Sequence, residues 1–376
     1  MPAMLEQITL QPQVRDLLLS TVAAGRATHA YLFSGPKGSG KLDVACAFAQ
    51  ALVCEDQGCG HCIDCKKALL RNHPDIRVVH PAGAQGYLIE QIREVVSDAT
   101  RAPIQAKHKV FILEDVEQLG TSAANAFLKT LEEPSSRVTL ILLTSRQESV
   151  LSTILSRCQV VAFRSVPEAD LVAELVRRVG CQPSLARVAV NVSGGSLDLA
   201  ETFCRSEELI DLRKSILKTL ENLEASDDWT LLKAASALSA GGESILDDLK
   251  AQQAEELEVA GDFLGRGALK QMEAGHKRAL TAMTRQLFRL RCSVVESWLR
   301  DVLLVKAGCN QLLINDDARQ AILACAQGVS ETGLLCACDA VTRCKSAMDY
   351  NVQLQICLDA LLLEVREDLY GPHNSR

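Results

Sequence analysis

Aromatic residues are scarce in this 376-residue chain, with eight Phe, four Tyr and two Trp, or 4%. Alanine and leucine abound instead, which disfavours an aromatic-rich sandwich core and favours helix packed on helix. Also missing is any apolar run near the ~20 residues that a membrane helix needs. The opening MPAMLEQITLQPQVRD lacks the basic-then-apolar design of a secretory signal, so a cytoplasmic location is expected. Nor is there an excess of positive charge. Forty Lys and Arg stand against 47 Asp and Glu, a net −7. That argues against a chain that coats nucleic acid by overall charge, while leaving room for a local basic patch. With 48% hydrophobic and 23% charged residues the chain can build ordinary cores, and its length predicts two or three domains.

Cysteine, by contrast, is plentiful, with fifteen residues. Reducing conditions in a cytosol exclude disulfides as their general explanation. Eleven, among them Cys46, Cys204, Cys292, Cys325 and Cys357, are scattered through apolar helical patterns and read as small buried hydrophobes. The other four, Cys54, Cys59, Cys62 and Cys65, lie in CEDQGCGHCIDC with the spacing C-x4-C-x2-C-x2-C. Such gaps let four thiolates converge on a tetrahedral zinc, and a site closed by four protein ligands is structural. Gly58 and Gly60 permit the turns, and His61 is a possible substitute ligand.

Up to about residue 164 the chain alternates short apolar runs with amphipathic stretches. AYLFSG (30–35), DIRVVHP (75–81), KVFILED (109–115), VTLILLT (138–144) and QVVAFR (159–164) predict strands. Residues 42–54, 87–102, 122–134 and 149–158 predict helices. Continuous apolar strands alternating with helices predict an α/β domain, a five-stranded parallel sheet covered on both faces. Beyond Pro167 the strands disappear. Two helical stretches broken at Gly180 and at Gly194-Gly195 predict a small helical domain, and RSEELIDLRK (205–214) leads into a helical third part reaching residue 370. The expected domains are thus 1–165, 166–206 and 207–376. The stretch 221–262 reads as a helical pair or a mobile connection, and the tail GPHNSR as disordered.

The run GPKGSGKLD follows the first predicted strand and opens a helix, the setting that a phosphate-binding loop requires. Gly35, Pro36, Lys37, Gly38, Ser39, Gly40 and Lys41 satisfy the pattern G-x-x-x-x-G-K-[ST] up to its last position. Backbone N–H groups and the helix N-terminus would face phosphate, with Lys41 reaching the terminal groups. Position 42, however, is Leu42, where a hydroxyl should hold magnesium. The acidic pair after the third strand is Glu114-Asp115, reversed from the Asp-Glu order of hydrolytic relatives. Two changes at the metal and water positions predict weak or absent hydrolysis, while ATP or ADP binding through the loop amides and Lys41 stays open.

In chain order, HAYLFSGPKGSGK (29–41), the four-cysteine module, NHPDIRVV (72–79), NAFLKTLEEP (125–134) and TILSRCQ (153–159) resemble the AAA+ subunits of the bacterial DNA polymerase III clamp loader. The likeness covers most of residues 1–200. ESWLRDVLLVKAG (296–308) and YNVQLQICLDALLLEV (350–365) resemble that family's collar-forming domain more loosely. The resemblance implies a P-loop AAA+ domain, a small helical lid and an all-α collar. It also implies that Ser156, Arg157 and Cys158 form the SRC motif, whose Arg157 is an arginine finger acting on a neighbour's ATP, and that Thr144 is a sensor. Asp198 falls where motor subunits carry a second-sensor arginine. With Leu42 and Asp115, that departure fits the family's stator-like delta-prime branch better than its ATP-hydrolysing gamma/tau motors. The sequence also has no long tail of the tau type. Implied partners are gamma/tau and delta subunits in a pentameric ring, the sliding clamp and primer-template DNA, with no membrane. Two other readings are an active motor or AAA+ remodeller, and a zinc-dependent nucleic-acid module, for which the acidic residues Glu55, Asp56 and Asp64 inside the cluster are unsuited.

Overall fold

The computed structural model describes residues 4–81, 86–133, 135, 137–261, 266–347 and 352–371. Apart from Gly371, the tail GPHNSR lies outside the described residues. The chain divides into two compact units, Met1–Leu171 and Val172–Arg376.

The first unit is built on five parallel strands, β1 (Ala30–Ser34), β2 (Ile76–Val79), β3 (Lys109–Leu113), β4 (Val138–Thr144) and β5 (Gln159–Ala162), in the order β2-β3-β4-β1-β5. Each predicted strand is present, β4 over its full predicted span and the other four trimmed at their ends. Alternate side chains leave opposite faces of the pleat. Tyr31, Phe33, Val110, Ile112, Ile141 and Leu143 join one buried cluster with α1 (Pro12–Ala23) and α2 (Lys41–Val53). Leu32, Phe111, Leu113, Leu140 and Leu142 join another with α4 (Ile89–Ala99) and α5 (Thr121–Glu132). β3 and β4 are buried along their whole length, which is why they read as unbroken apolar runs. Complete burial of a side chain such as Phe127 contributes about 1.5–3 kcal/mol. α3 (Ile63–Leu69) lies within the cysteine module, and the one-turn α6 (Ser152–Leu155) precedes β5.

α7 (Glu168–Val179) carries the chain from the first unit into the second. α8 (Pro183–Val192) and α9 (Leu197–Arg205) pack together, and Gly180, Gly194 and Gly195 fall between helices as expected. Most of RSEELIDLRK forms the start of α10 (Glu207–Glu221), because Ser206 accepts from Leu209 N as N-cap and Glu207 and Glu208 suit the positive end of the helix. The 221–262 stretch contains two helices, α11 (Asp228–Ala240) and α12 (Glu243–Gly261). The 41-residue α13 (Arg266–Lys306) runs past α8, α10, α12, α14 (Arg319–Gly328) and α15 (Glu331–Ala347), and α16 (Leu354–Tyr370) packs on α11 and α15. Among the described residues no single helix is long and apolar enough to cross a membrane.

The scattered cysteines need correction. Cys46, Cys292, Cys344 and Cys357 are buried, but Cys204 and Cys325 are half-buried and Cys336 is exposed. Helical periodicity places a residue near an apolar stripe, and a small side chain at the stripe's margin keeps part of its surface in water.

A polar knot lies inside the second unit. Asp301, fully buried on α13, accepts from Ile314 N at 3.0 Å, Asn315 N at 2.7 Å and Asn315 Nδ2 at 3.0 Å. Asn315 in turn accepts from Arg213 of α10 at 2.7 Å, and Arg213 is paired with Asp317. Truncating one member leaves buried charge and backbone donors unmatched. Asp301→Ala is expected to destabilise the fold by about 3 kcal/mol, read as a lower midpoint in chemical denaturation.

Candidate functional site

The phosphate-type loop leaves the C-terminal end of β1 and enters α2. Gly35 N donates to Thr144 O at 3.2 Å, and a Cβ at Gly35 would lie 2.5 Å from the carbonyl oxygen of Phe163, so no larger residue fits there. Gly40, the last residue before the helix, has φ +77°, a left-handed conformation that glycine adopts without strain. Gln11, not foreseen from the sequence, ties the loop to the end of the sheet. Its Nε2 donates to Ser39 O at 3.1 Å and to Arg164 O at 2.8 Å.

Lys41 is turned back on its own loop. Its Nζ donates to Gly35 O and Pro36 O, each at 2.6 Å, and lies 3.3 Å from Ser39 Oγ. Burial lowers its pKa, against the opposing pull of Asp115, Glu117 and Glu114. Leu42 packs against the buried cluster of α1, α2 and the sheet. It presents hydrocarbon where a metal-holding loop presents an oxygen, so the residues here do not fit magnesium as such loops hold it.

Three carboxylates and Thr144 stand at the same edge of the sheet. Glu114 Oε2 lies 3.5 Å from His80 Nδ1, and its other oxygen is buried and meets no donor among the described residues. Burial alone would lower the His80 pKa, but Glu114 outweighs it and the net shift is upward. Asp115 occupies a left-handed backbone position, φ +48°, uncommon outside glycine. Thr144 is buried, its Oγ1 accepting from Arg146 N at 3.1 Å. Glu117, also missed from sequence, accepts at Oε1 from Ser145 N at 3.1 Å and from Ser145 Oγ at 2.6 Å. Tyr87 Oη donates to Val79 O and Glu114 O, bracing the ends of β2 and β3. The available signal was modest: an acidic residue two past Asp115, and a hydroxyl just after the β4 run.

The SRC residues follow α6. Ile154 is fully buried beneath this turn, and Cys158 packs on the same cluster, where burial pushes its thiol up to about 12. Arg157 points outward with a third of its side chain exposed. One terminal nitrogen donates to Thr153 O at 2.8 Å and Ser156 Oγ at 3.1 Å, and the other pairs with Glu132. In the second unit, Asp198 lies in the first turn of α9, capped by Ser196, where negative charge suits the helix end.

The four cysteines converge. Cys54 follows α2, Cys62 caps α3 and Cys65 lies within it. Their sulfurs all lie within 4.8 Å of one another, with separations of 3.7 Å for Cys54–Cys59 and Cys54–Cys62 and 4.0 Å for Cys59–Cys65. A tetrahedron of Zn–S bonds near 2.3 Å spaces its sulfurs at about 3.8 Å. The cluster can therefore hold a metal ion such as zinc. His61 is not among the converging groups, and its Nδ1 lies 3.0 Å from Cys59 O.

NHPD braces this module. Buried Asp75 accepts from Ile104 N, Gln105 N and Ala106 N at 2.6–2.8 Å. His73 Nδ1 accepts from Asp75 N, so its Nε2 carries the proton and donates to Asp64 of α3 at 3.1 Å.

Fold and site together define an α/β protein with a five-stranded parallel sheet, whose glycine-rich loop after β1 has the pattern of a phosphate-binding loop but carries Leu42 in place of the metal-holding hydroxyl. Residues 10–167 match the family described as DNA polymerase III, delta subunit, and residues 274–367 match its C-terminal counterpart. The chain is 32% identical over 221 residues to DNA polymerase III subunit delta' of Bacillus subtilis, covering 58% of this chain and 66% of the relative. It is 30% identical over 225 residues to subunit delta' of Escherichia coli, covering 58% and 67%. To subunit tau of B. subtilis it is 31% identical over 232 residues, covering 59% of this chain and 40% of tau. The match thus spans about two thirds of the delta' relatives and less than half of tau. The chain belongs to the delta-prime family of DNA polymerase III subunits.

Hydrogen bonds from Ser145 outweigh desolvation and lower the pKa of Glu117. A carboxylate held lower in the native state stabilises the fold at neutral pH, and that contribution is lost as pH falls through the native pKa. Glu117→Gln is expected to flatten the acid limb of a stability-against-pH curve followed by thermal melting. An unchanged limb would count against an ionised Glu117.

Proposed function

We propose that this chain is a subunit of a bacterial DNA polymerase III clamp loader that hydrolyses no ATP itself and lends Arg157 to the ATP site of a neighbouring gamma/tau motor subunit. The observation carrying this reading is Leu42, a partly buried hydrocarbon side chain packed against the hydrophobic cluster at the position that should ligate magnesium. Asp198, acidic where a phosphate-binding arginine is expected, supports it. ATP or ADP could be held by the loop amides once Lys41 releases Gly35 O and Pro36 O, without turnover. Arg157, displayed on the surface, would place its guanidinium against charge developing on the neighbour's transferring phosphoryl group, with Ser156 steadying it.

In this reading the chain joins motor and delta subunits in a pentameric ring that opens and closes the sliding clamp on primer-template DNA. Residues 166–206 would serve as the lid and 207–376 as the collar. Zinc in the Cys54, Cys59, Cys62 and Cys65 cluster is structural, because four thiolates leave no position open for substrate.

The purified chain should show no magnesium-dependent ATP hydrolysis above a Lys41→Ala control. In the reconstituted loader, Arg157→Ala should lower DNA-stimulated ATPase by roughly tenfold or more while assembly persists. Robust hydrolysis by the lone chain, or undiminished turnover with Arg157→Ala, would contradict this reading. Metal analysis should find a single zinc per chain, released in Cys62→Ala along with local destabilisation of the first unit. A wild-type chain without zinc would remove the structural-metal assignment.

A further inference from the structure

Glu132 lies in the stretch NAFLKTLEEP, which the phosphate loop and the cysteine cluster leave unexplained. Ala123, Ala124, Phe127 and Leu131 fasten α5 to the sheet, and its last turn leaves Glu132 at the surface beside α6. There Glu132 Oε1 meets a terminal nitrogen of Arg157 at 2.5 Å. The other terminal nitrogen is already engaged by Thr153 O and Ser156 Oγ, so carboxylate, carbonyl and hydroxyl hold both ends of the guanidinium fork. We propose that Glu132 is a positioning residue for Arg157, selecting the rotamer in which the guanidinium is offered to the neighbouring subunit. This rests on the trans-acting role of Arg157 proposed above.

The strength of the pair suits that task. A free arginine samples many rotamers and loses that freedom on docking, whereas one already held has little left to lose. Yet 33% of the Arg157 side chain and 49% of that of Glu132 are exposed, and exposed ion pairs are weak. A nucleotide phosphate, with more negative charge and several acceptor oxygens, can therefore draw the guanidinium away from Glu132 when subunits meet. A buried pair would trap it.

The test measures kcat and KM for ATP in the reconstituted, DNA-stimulated loader with Glu132→Ala, Glu132→Gln, Arg157→Ala and the Glu132→Ala/Arg157→Ala double variant. Glu132→Ala should lower kcat about threefold with KM unchanged. Glu132→Gln keeps the acceptor oxygen and should recover most of the loss. In the Arg157→Ala background, Glu132→Ala should add nothing. Unchanged kcat for Glu132→Ala beside a loss for Arg157→Ala overturns the role of Glu132 alone. Unchanged kcat for Arg157→Ala overturns the reading beneath it. A raised KM, additive losses in the double variant, or failure of Glu132→Ala to co-elute with the other subunits would make Glu132 a structural residue and overturn the proposal.

Discussion

Because all five strands run in one direction, residues that follow their C-terminal ends arrive at the same edge of the sheet. The loop after β1, Glu114 and Asp115 after β3 and Thr144 closing β4 meet there by topology rather than by nearness in sequence. Single hydrogen bonds then join one strand end to the next, Gly35 N to Thr144 O between β1 and β4, and Phe163 N to Ser34 O between β5 and β1. The nucleotide-type site is a property of the whole sheet, and a change in one loop leaves the rest of its frame standing.

That separability bears on the altered residues. Leu42 packs, partly buried, against a cluster that α2 forms with α1 and the sheet, so a hydrocarbon side chain suits the fold at this position. Lys41 donates to the loop's own carbonyls and stays beside three carboxylates. Arg157 stands apart on the turn after α6, anchored beneath by Ile154 and Cys158 and displayed outward. The turn that displays Arg157 is thus separate from the loop that holds Lys41.

The cysteine module is tied to the sheet without depending on a metal for every contact. His73, Asp64 and Asp75 link α3 and the 104–106 loop to the start of β2, and Gln50 Nε2 of α2 donates to Cys65 O. This gives NHPD a mechanical meaning that its spacing alone does not convey. Hydrogen bonds between residues 30 apart have no local periodicity by which to be recognised.

Much of the architecture was legible beforehand for a physical reason. Strands buried on both faces must be apolar throughout, helices covering them must be apolar on one side, and both constraints are written locally in VTLILLT or NAFLKTLE. The loop at Gly35–Leu42 and the cysteine spacing were equally legible, since each needs particular residues a few positions apart. What only the tertiary structure decided are the long-range pairings: Gln11 with Ser39, Glu117 with Ser145, Asp301 with Asn315, and Glu132 with Arg157. It also decided which thiols are buried, and that RSEELIDLRK begins a helix. A charged residue's sequence neighbours say that it can reach water, but its partner is chosen by how separate elements pack, and that geometry exists only once the chain has folded.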